Sequence, residues 1–141
     1  MLKKKVVVKY RSGEIIKGWV EEFAPERHFF ILYPLIEYSS KETLTIDFAS
    51  LKAVFFVKDF FGNKNYQSVK AFDDKKFKVT PSQRKVVIVF EDGEEIYGTC
   101  YNFGRYEDGF FVFPIDPEDN NERIFVVRKA IIKIKTNDQD F

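Results

Sequence analysis

The sequence predicts an all-β fold: two small β-barrels of about five strands each, in tandem and packed together with an aromatic linker. Three observations point there. Lys5 to Gly18 aligns without a gap on Lys85 to Gly98, and the same register matches Phe23 with Phe103, Phe30 with Phe110 and Pro34 with Pro114. Apolar residues alternate with period two in both copies. No segment carries a convincing helical period, although a short helix over residues 65–72 is an alternative reading. The predicted organisation is a first repeat over 1–58, a linker over 59–84 and a second repeat over 85–141.

Each element has its own reason. Val6, Val8 and Tyr10 share one face of a first strand, as do Val86, Ile88 and Phe90. Ser12-Gly13 and Asp92-Gly93 are hairpin-turn signals. The second strand turns Ile16, Gly18 and Val20 inward, matched by Ile96, Gly98 and Cys100. A glycine inside a strand marks a sharp bend or a close backbone approach, and bending closes a short sheet into a barrel. The third strand runs from Phe30 to Tyr33 and from Phe110 to Phe113, ending at a proline that cannot donate to a ladder. The fourth and fifth fall near 43–48 and 52–57, then near 123–128 and 131–135. The linker holds Phe60, Phe61, Tyr66, Phe72 and Phe77. A flexible tether would not carry so many rings, so several are expected to bury against the barrels.

Composition narrows the function. The chain has 141 residues, 45% hydrophobic and 18% aromatic, which suits a packed core rather than disorder. Its formal net charge of +1 lacks the basic excess of a general nucleic-acid binder. One cysteine, Cys100, permits no intramolecular disulfide and suits a reducing compartment. One cysteine and one histidine cannot build the common closed zinc sites. The apolar start of the chain is too short for a signal peptide and is broken by Lys9, and no apolar run reaches the roughly 20 residues of a membrane span. The expectation is a cytoplasmic protein with no membrane contact and no cofactor.

A turn glycine, four residues and a second glycine in a bent strand (Gly13 and Gly18, Gly93 and Gly98) resemble the first motif of Sm-like barrels. The stretch from Arg123 to Ile131 is similar to their second motif. The whole chain resembles a bacterial family of duplicated domains of unknown function, a likeness carried by Leu51 to Phe60 and by Asn120 to Val126. Relatives of that kind accompany signalling domains, so the resemblance implies an accessory or regulatory role with no known ligand. Two patterns are missing. Sm-like proteins hold an RNA base with a pocket asparagine near the third strand and an Arg-Gly in the second motif. Here the third strand opens with Phe29-Phe30 or Gly109-Phe110, and Arg128 is followed by Lys129. The cyclic-dinucleotide motif of PilZ domains would need Asp-x-Ser-x-x-Gly. Asp47-Phe48-Ala49-Ser50 spaces the pair one residue too far and lacks the glycine.

Candidate reactive groups read mostly as structure. His28 falls in a loop opposite Asp108 in the repeat, with no nucleophile set beside it. Cys100 aligns with Val20 on the inward face, the place of a small buried thiol. Glu91, Asp92, Glu94 and Glu95 flank a hairpin turn and read as a solvated tip. Asp116, Glu118, Asp119 and Asn120 lack the spacing and closing glutamate of a calcium loop. The lysines at 3–5, 75, 76, 78, 129, 133 and 135 stand among acidic residues, the pattern of a mixed surface. No phosphate-loop glycine pattern is present.

The informative anomaly is the outer face. If Phe30 and Leu32 point in, Ile31 and Tyr33 point out, and Phe111 and Phe113 do so in the second copy. Trp19, Tyr33, Tyr97, Tyr101, Phe111 and Phe113 then form a candidate interface. Something should cover so large an apolar surface: the other repeat, the linker, a second subunit or a ligand. The reading is a non-catalytic binding or adaptor module, not an enzyme, contacting a protein in bacterial signalling or regulation. The rival is a nucleic-acid or nucleotide-binding module of Sm-like or PilZ-like type. A homo-oligomer is also compatible with that face.

Overall fold

The computed structural model describes residues 3–62, 65–67, 69–72 and 80–136. Ten strands follow one another: β1 (Lys4–Tyr10), β2 (Ile15–Val20), β3 (Phe29–Pro34), β4 (Leu44–Asp47), β5 (Leu51–Val57), β6 (Arg84–Phe90), β7 (Glu95–Cys100), β8 (Gly109–Pro114), β9 (Asn121–Val127) and β10 (Ile131–Lys135). They form one antiparallel sheet in the order β10-β6-β7-β8-β9-β5-β1-β2-β3-β4. Described residues of the 65–72 stretch form no helix. Three short 3-10 turns, at Pro25–Arg27, Phe48–Ser50 and Arg128–Ala130, were not legible in the sequence.

The turns form for the expected reason. Gly13 and Gly93 sit at φ +97° and +91°, a region that β-carbons disfavour. Each amide closes its hairpin, to the Tyr10 carbonyl at 3.0 Å and the Phe90 carbonyl at 2.9 Å. Ser12 Oγ and Asp92 Oδ1 accept from the amides two residues on, at 3.3 and 3.0 Å. Gly18 and Gly98 serve a different purpose. A β-carbon at Gly98 would stand 2.5 Å from the Phe113 carbonyl oxygen and 2.7 Å from Val112 Cγ1. The third strand crosses so closely here that only glycine fits.

The two halves share the order fifth, first, second, third, fourth strand, and they meet where β5 pairs with β9. This joint explains the continuous apolar runs from Ala53 to Val57 and from Ile124 to Val127. Strands covered on both faces need no polar alternation. Ala53, Phe55 and Val57 point into the core of the second half, with Ile124 and Val126. Leu51, Val54 and Phe56 point into the core of the first half, where Phe125 and Val127 join them. Each strand of the joint therefore packs its own core on one face and its neighbour's on the other. Val7, on the opposite face of β1 from Val6 and Val8, is buried in the second-half core. At roughly 1.5–3 kcal/mol per fully buried large apolar side chain, the joint is a major source of cohesion.

Ions reinforce it. Arg11 grips Glu91 with Nε at 2.8 Å and Nη2 at 3.1 Å. Lys52, a buried residue of β5, holds Asp92 at 2.7 Å and also contacts Glu94. Burial pulls the Lys52 ammonium down, but the hydrogen bonds it donates to both carboxylates outweigh it and leave its pKa raised. The carboxylates around the second hairpin are thus a clamp on the first half, which corrects the expectation of a merely solvated tip.

Where the linker is described, Phe60, Tyr66 and Phe72 are half-buried. Phe60 meets Trp19 edge-on at 5.1 Å, and Phe72 lies 5.5 Å from Tyr97. Tyr66 donates to Asp116 at 2.6 Å. Phe61 is exposed, and Phe77, with Lys75, Lys76 and Lys78, lies outside the described residues.

Candidate functional site

The outer face of the third strand is flanked in each half by a cleft. In the first half the lining includes Glu21, Glu22, Arg27, Phe29, Ile31 and Tyr33, around about 160 Å³. In the second half the cleft is lined by Tyr101, Asn102, Arg105, Tyr106, Phe111 and Phe113, around about 170 Å³. The clefts occupy matching positions: Glu21 and Tyr101, Glu22 and Asn102, Ile31 and Phe111, Tyr33 and Phe113 are each 80 residues apart, like the Arg11–Glu91 pair. Their chemistry has diverged. The first cleft is acidic at its rim, with Glu21 paired to Lys3 at 3.8 Å and Glu22 to Arg27 at 3.4 Å. The second has four aromatic rings, and no carboxylate lines it.

The strand geometry positions those rings. Phe110 and Val112 of β8 are fully buried in the core, so Phe111 and Phe113 face the other side. Tyr101 follows β7 and stands edge-on to Phe113 at 5.7 Å, with more than half its surface open. Tyr106 meets Phe111 at 6.4 Å. Phe111 forms the inner wall, because it also packs across the joint on Phe23 at 5.9 Å and Phe56 at 6.2 Å.

Of the six aromatic residues expected to form an outer face, this cleft gathers Tyr101, Phe111 and Phe113. Tyr33 lines the first cleft, with Lys3 Nζ 4.6 Å from its ring centre. Trp19 and Tyr97 are packed on by linker rings. Sequence reasoning missed two arginines. The Arg123 guanidinium lies 4.6 Å from the Phe111 ring and 4.3 Å from Phe56, and Arg105 lies 5.3 Å from Tyr106. Burial lowers the pKa of Arg123 from its ordinary value. The available signal was an arginine directly before the apolar run Ile124 to Val127 of β9.

The other candidates are accounted for. His28, at φ +66° after the first 3-10 turn, places Nδ1 2.6 Å from Asp108 Oδ2, and Glu107 lies 3.8 Å from Nε2. Its imidazole is exposed, and the hydrogen bond to Asp108 raises its pKa. Cys100 is fully buried, and burial pushes its thiol up to about 11. Asp116 accepts from Tyr66, and burial raises the Asp119 carboxyl. Among the described residues, no cluster of three or more His, Cys, Asp or Glu is placed to hold a metal. No described helix is long and apolar enough to cross a membrane.

The chain belongs to a family of unknown function, DUF6982, whose model matches residues 2–137. No curated protein and no solved structure matches it.

Proposed function

We propose that this chain is a non-catalytic binding or adaptor module, built of two Sm-like barrel units, that contacts a protein partner in a cytoplasmic bacterial regulatory pathway. The observation that carries the reading is the open aromatic cleft on β8. Tyr101 gains nothing for the fold by standing more than half exposed beside Phe113. Aromatic rings of that kind are the usual anchors of protein interfaces. The duplicated-unit reading draws support from strand spacing: β1 begins at Lys4 and β6 at Arg84, and the 3-10 turns after β4 and β9 begin at Phe48 and Arg128. Each half also repeats the strand order fifth, first, second, third, fourth, as two copies of one unit would.

The non-catalytic part is supported by how the reactive groups are occupied. His28 has an orienting carboxylate in Asp108, but its other nitrogen faces Glu107 rather than a hydroxyl or thiol. A base needs a nucleophile or substrate proton within reach. The Cys100 thiol is sealed in the core and held protonated. The signalling context rests on family resemblance.

The test is affinity capture with the intact protein beside Tyr101→Ala and Phe113→Ala variants. A protein retained by the parent and lost by both variants supports the reading. The rival, a nucleic-acid module, is favoured by one feature, a guanidinium beside stacking faces. Co-purified nucleic acid that elutes with salt and raises the A260/A280 ratio would move the conclusion there.

A further inference from the structure

Two guanidiniums stand at the second cleft, Arg105 on its wall and Arg123 against the Phe111 ring that forms its inner wall. Arg123 is half-buried, sandwiched between the Phe56 and Phe111 rings; Glu122 acts on it through space, but its guanidinium makes no hydrogen bond or ion pair with a described residue. Arg105, on the cleft wall, likewise makes none. Three other arginines are matched, while Arg84, away from this cleft, only stacks on Phe103 at 5.9 Å. Arg11 grips Glu91, Arg27 meets Glu22, and Arg128 donates to the carbonyls of Tyr106 and Glu107 at 3.1 and 3.2 Å.

A guanidinium carries five donors in a rigid fork. Leaving them unpaired while the side chain is half-buried costs free energy that a carboxylate would recover. The aromatic faces behind Arg123 hold the cation in place by their quadrupoles, which leaves the edge of the fork for an acceptor. Such charge-assisted, bidentate bonds to carboxylates are among the stronger polar contacts in proteins. Phe111 and Tyr106 connect the two arginines to the cleft, Arg105 as a lining residue and Arg123 through the ring it rests on. Phe111 underlies Arg123, Tyr106 underlies Arg105, and both rings line the same cavity.

We propose that the β8 cleft takes an acidic segment of a partner protein, with a carboxylate on Arg123 and Arg105 and a neighbouring apolar or aromatic side chain among Tyr101, Phe113 and Phe111. This deepens the binding-module reading and rests on it. The first-half cleft is a built-in contrast. Glu21 and Glu22 stand where the second cleft has Tyr101 and Asn102, and they already engage Lys3 and Arg27, so that cleft offers an acidic segment no unpaired guanidinium. A polynucleotide fits less well. The cavity of about 170 Å³ holds a side chain or two rather than a tracked strand, and a net charge of +1 supplies no basic stripe.

The experiment is fluorescence anisotropy on the full chain at low salt with three labelled probes. They are a peptide alternating glutamate and phenylalanine, the same peptide with lysine for glutamate, and oligouridylate. The acidic peptide should bind, weaken as salt rises, and lose roughly tenfold in affinity with Arg123→Gln or with Arg105→Gln. The lysine peptide should not bind. Arg105 is exposed, so its variant stays informative even if Arg123→Gln weakens the fold. The proposal is overturned if neither peptide binds, if the lysine peptide binds as well, if both arginine variants bind the acidic peptide like the parent, or if oligouridylate displaces it. A captured partner that needs Tyr101 and Phe113 but tolerates both arginine changes would sink this inference and leave the binding-module reading standing.

Discussion

His28 and Asp108 stand 80 residues apart in the chain, and their side chains meet at 2.6 Å. Arg11 and Glu91 have the same separation and also touch. In both pairs the residue from the first half is a base and its counterpart an acid. If the halves arose by duplication, as proposed here, two positions that began alike have diverged in sign and now hold the halves together.

The first pair makes stability depend on pH with a definite sign. Its hydrogen bond to Asp108 raises the folded-state pKa of His28 above the ordinary 6.5. Such a group stabilises fully below its ordinary value, and the contribution fades as pH rises through the raised one. The melting-temperature gap between the parent and His28→Ala should therefore be wider at about pH 5.5 than at about pH 8.5. Thermal denaturation at the two pH values checks this. A gap that is equal, or wider in base, would show that the pair adds nothing through its charge.

The second prediction concerns Gly98. A β-carbon there meets the Phe113 carbonyl and Val112 at contact distances that real structures do not show. Gly98→Val should cost at least ~1 kcal/mol, by pushing β8 away from β7. Chemical denaturation measures it. A midpoint equal to the parent's would mean that β8 can move aside freely.

Strand identities, the two hairpin turns, the crossing glycines and the buried Cys100 were legible because each rests on a local rule of spacing or chirality. The joint was not. Ala53-Val54-Phe55-Phe56-Val57 reads as a strand, but its lack of alternation has meaning only once β9 is known to lie beside it. The cleft was legible by half. Period two placed Phe111 and Phe113 on one side of β8, whereas Arg105 and Tyr106 reach it from a loop whose path no periodicity predicts. Trp19 and Tyr97 were read as outward from period two alone, whereas their contacts with Phe60 and Phe72 depend on the route of the linker.

The open ends of the sheet give a third prediction. Among the described residues, β4 and β10 each pair on one side only. Counted 80 residues from the joint strands, Thr45 and Asp47 stand where β9 has Phe125 and Val127. Likewise Lys133 and Lys135 stand where β5 has Ala53 and Phe55. Charged residues at such positions are how sheet edges refuse further pairing. Replacing Lys133 with Val and Lys135 with Phe should raise the mass seen by light scattering in a concentration-dependent way. A double variant with the parent's mass at every concentration would show that those lysines do not guard the edge.

The last prediction separates the two duties of the aromatic cleft. Phe111 is both its inner wall and a brace across the joint, packing on Phe23, Phe56 and Phe125. Tyr101 is rim alone, more than half exposed, with Phe113 as its aromatic neighbour. Phe111→Ser should therefore lower unfolding stability by roughly 2 kcal/mol, less than the loss of a fully buried ring. Tyr101→Ala should stay within about 0.5 kcal/mol of the parent, as exposed substitutions usually do. If the cleft is a partner site, both variants lose the partner, but only Phe111→Ser loses stability. Should Phe111→Ser prove as stable as the parent, the ring does not brace the joint, and the link between the cleft and the packing of the two halves fails. Should Tyr101→Ala be the variant that unfolds, Tyr101 supports the fold and its exposure is no evidence for a ligand.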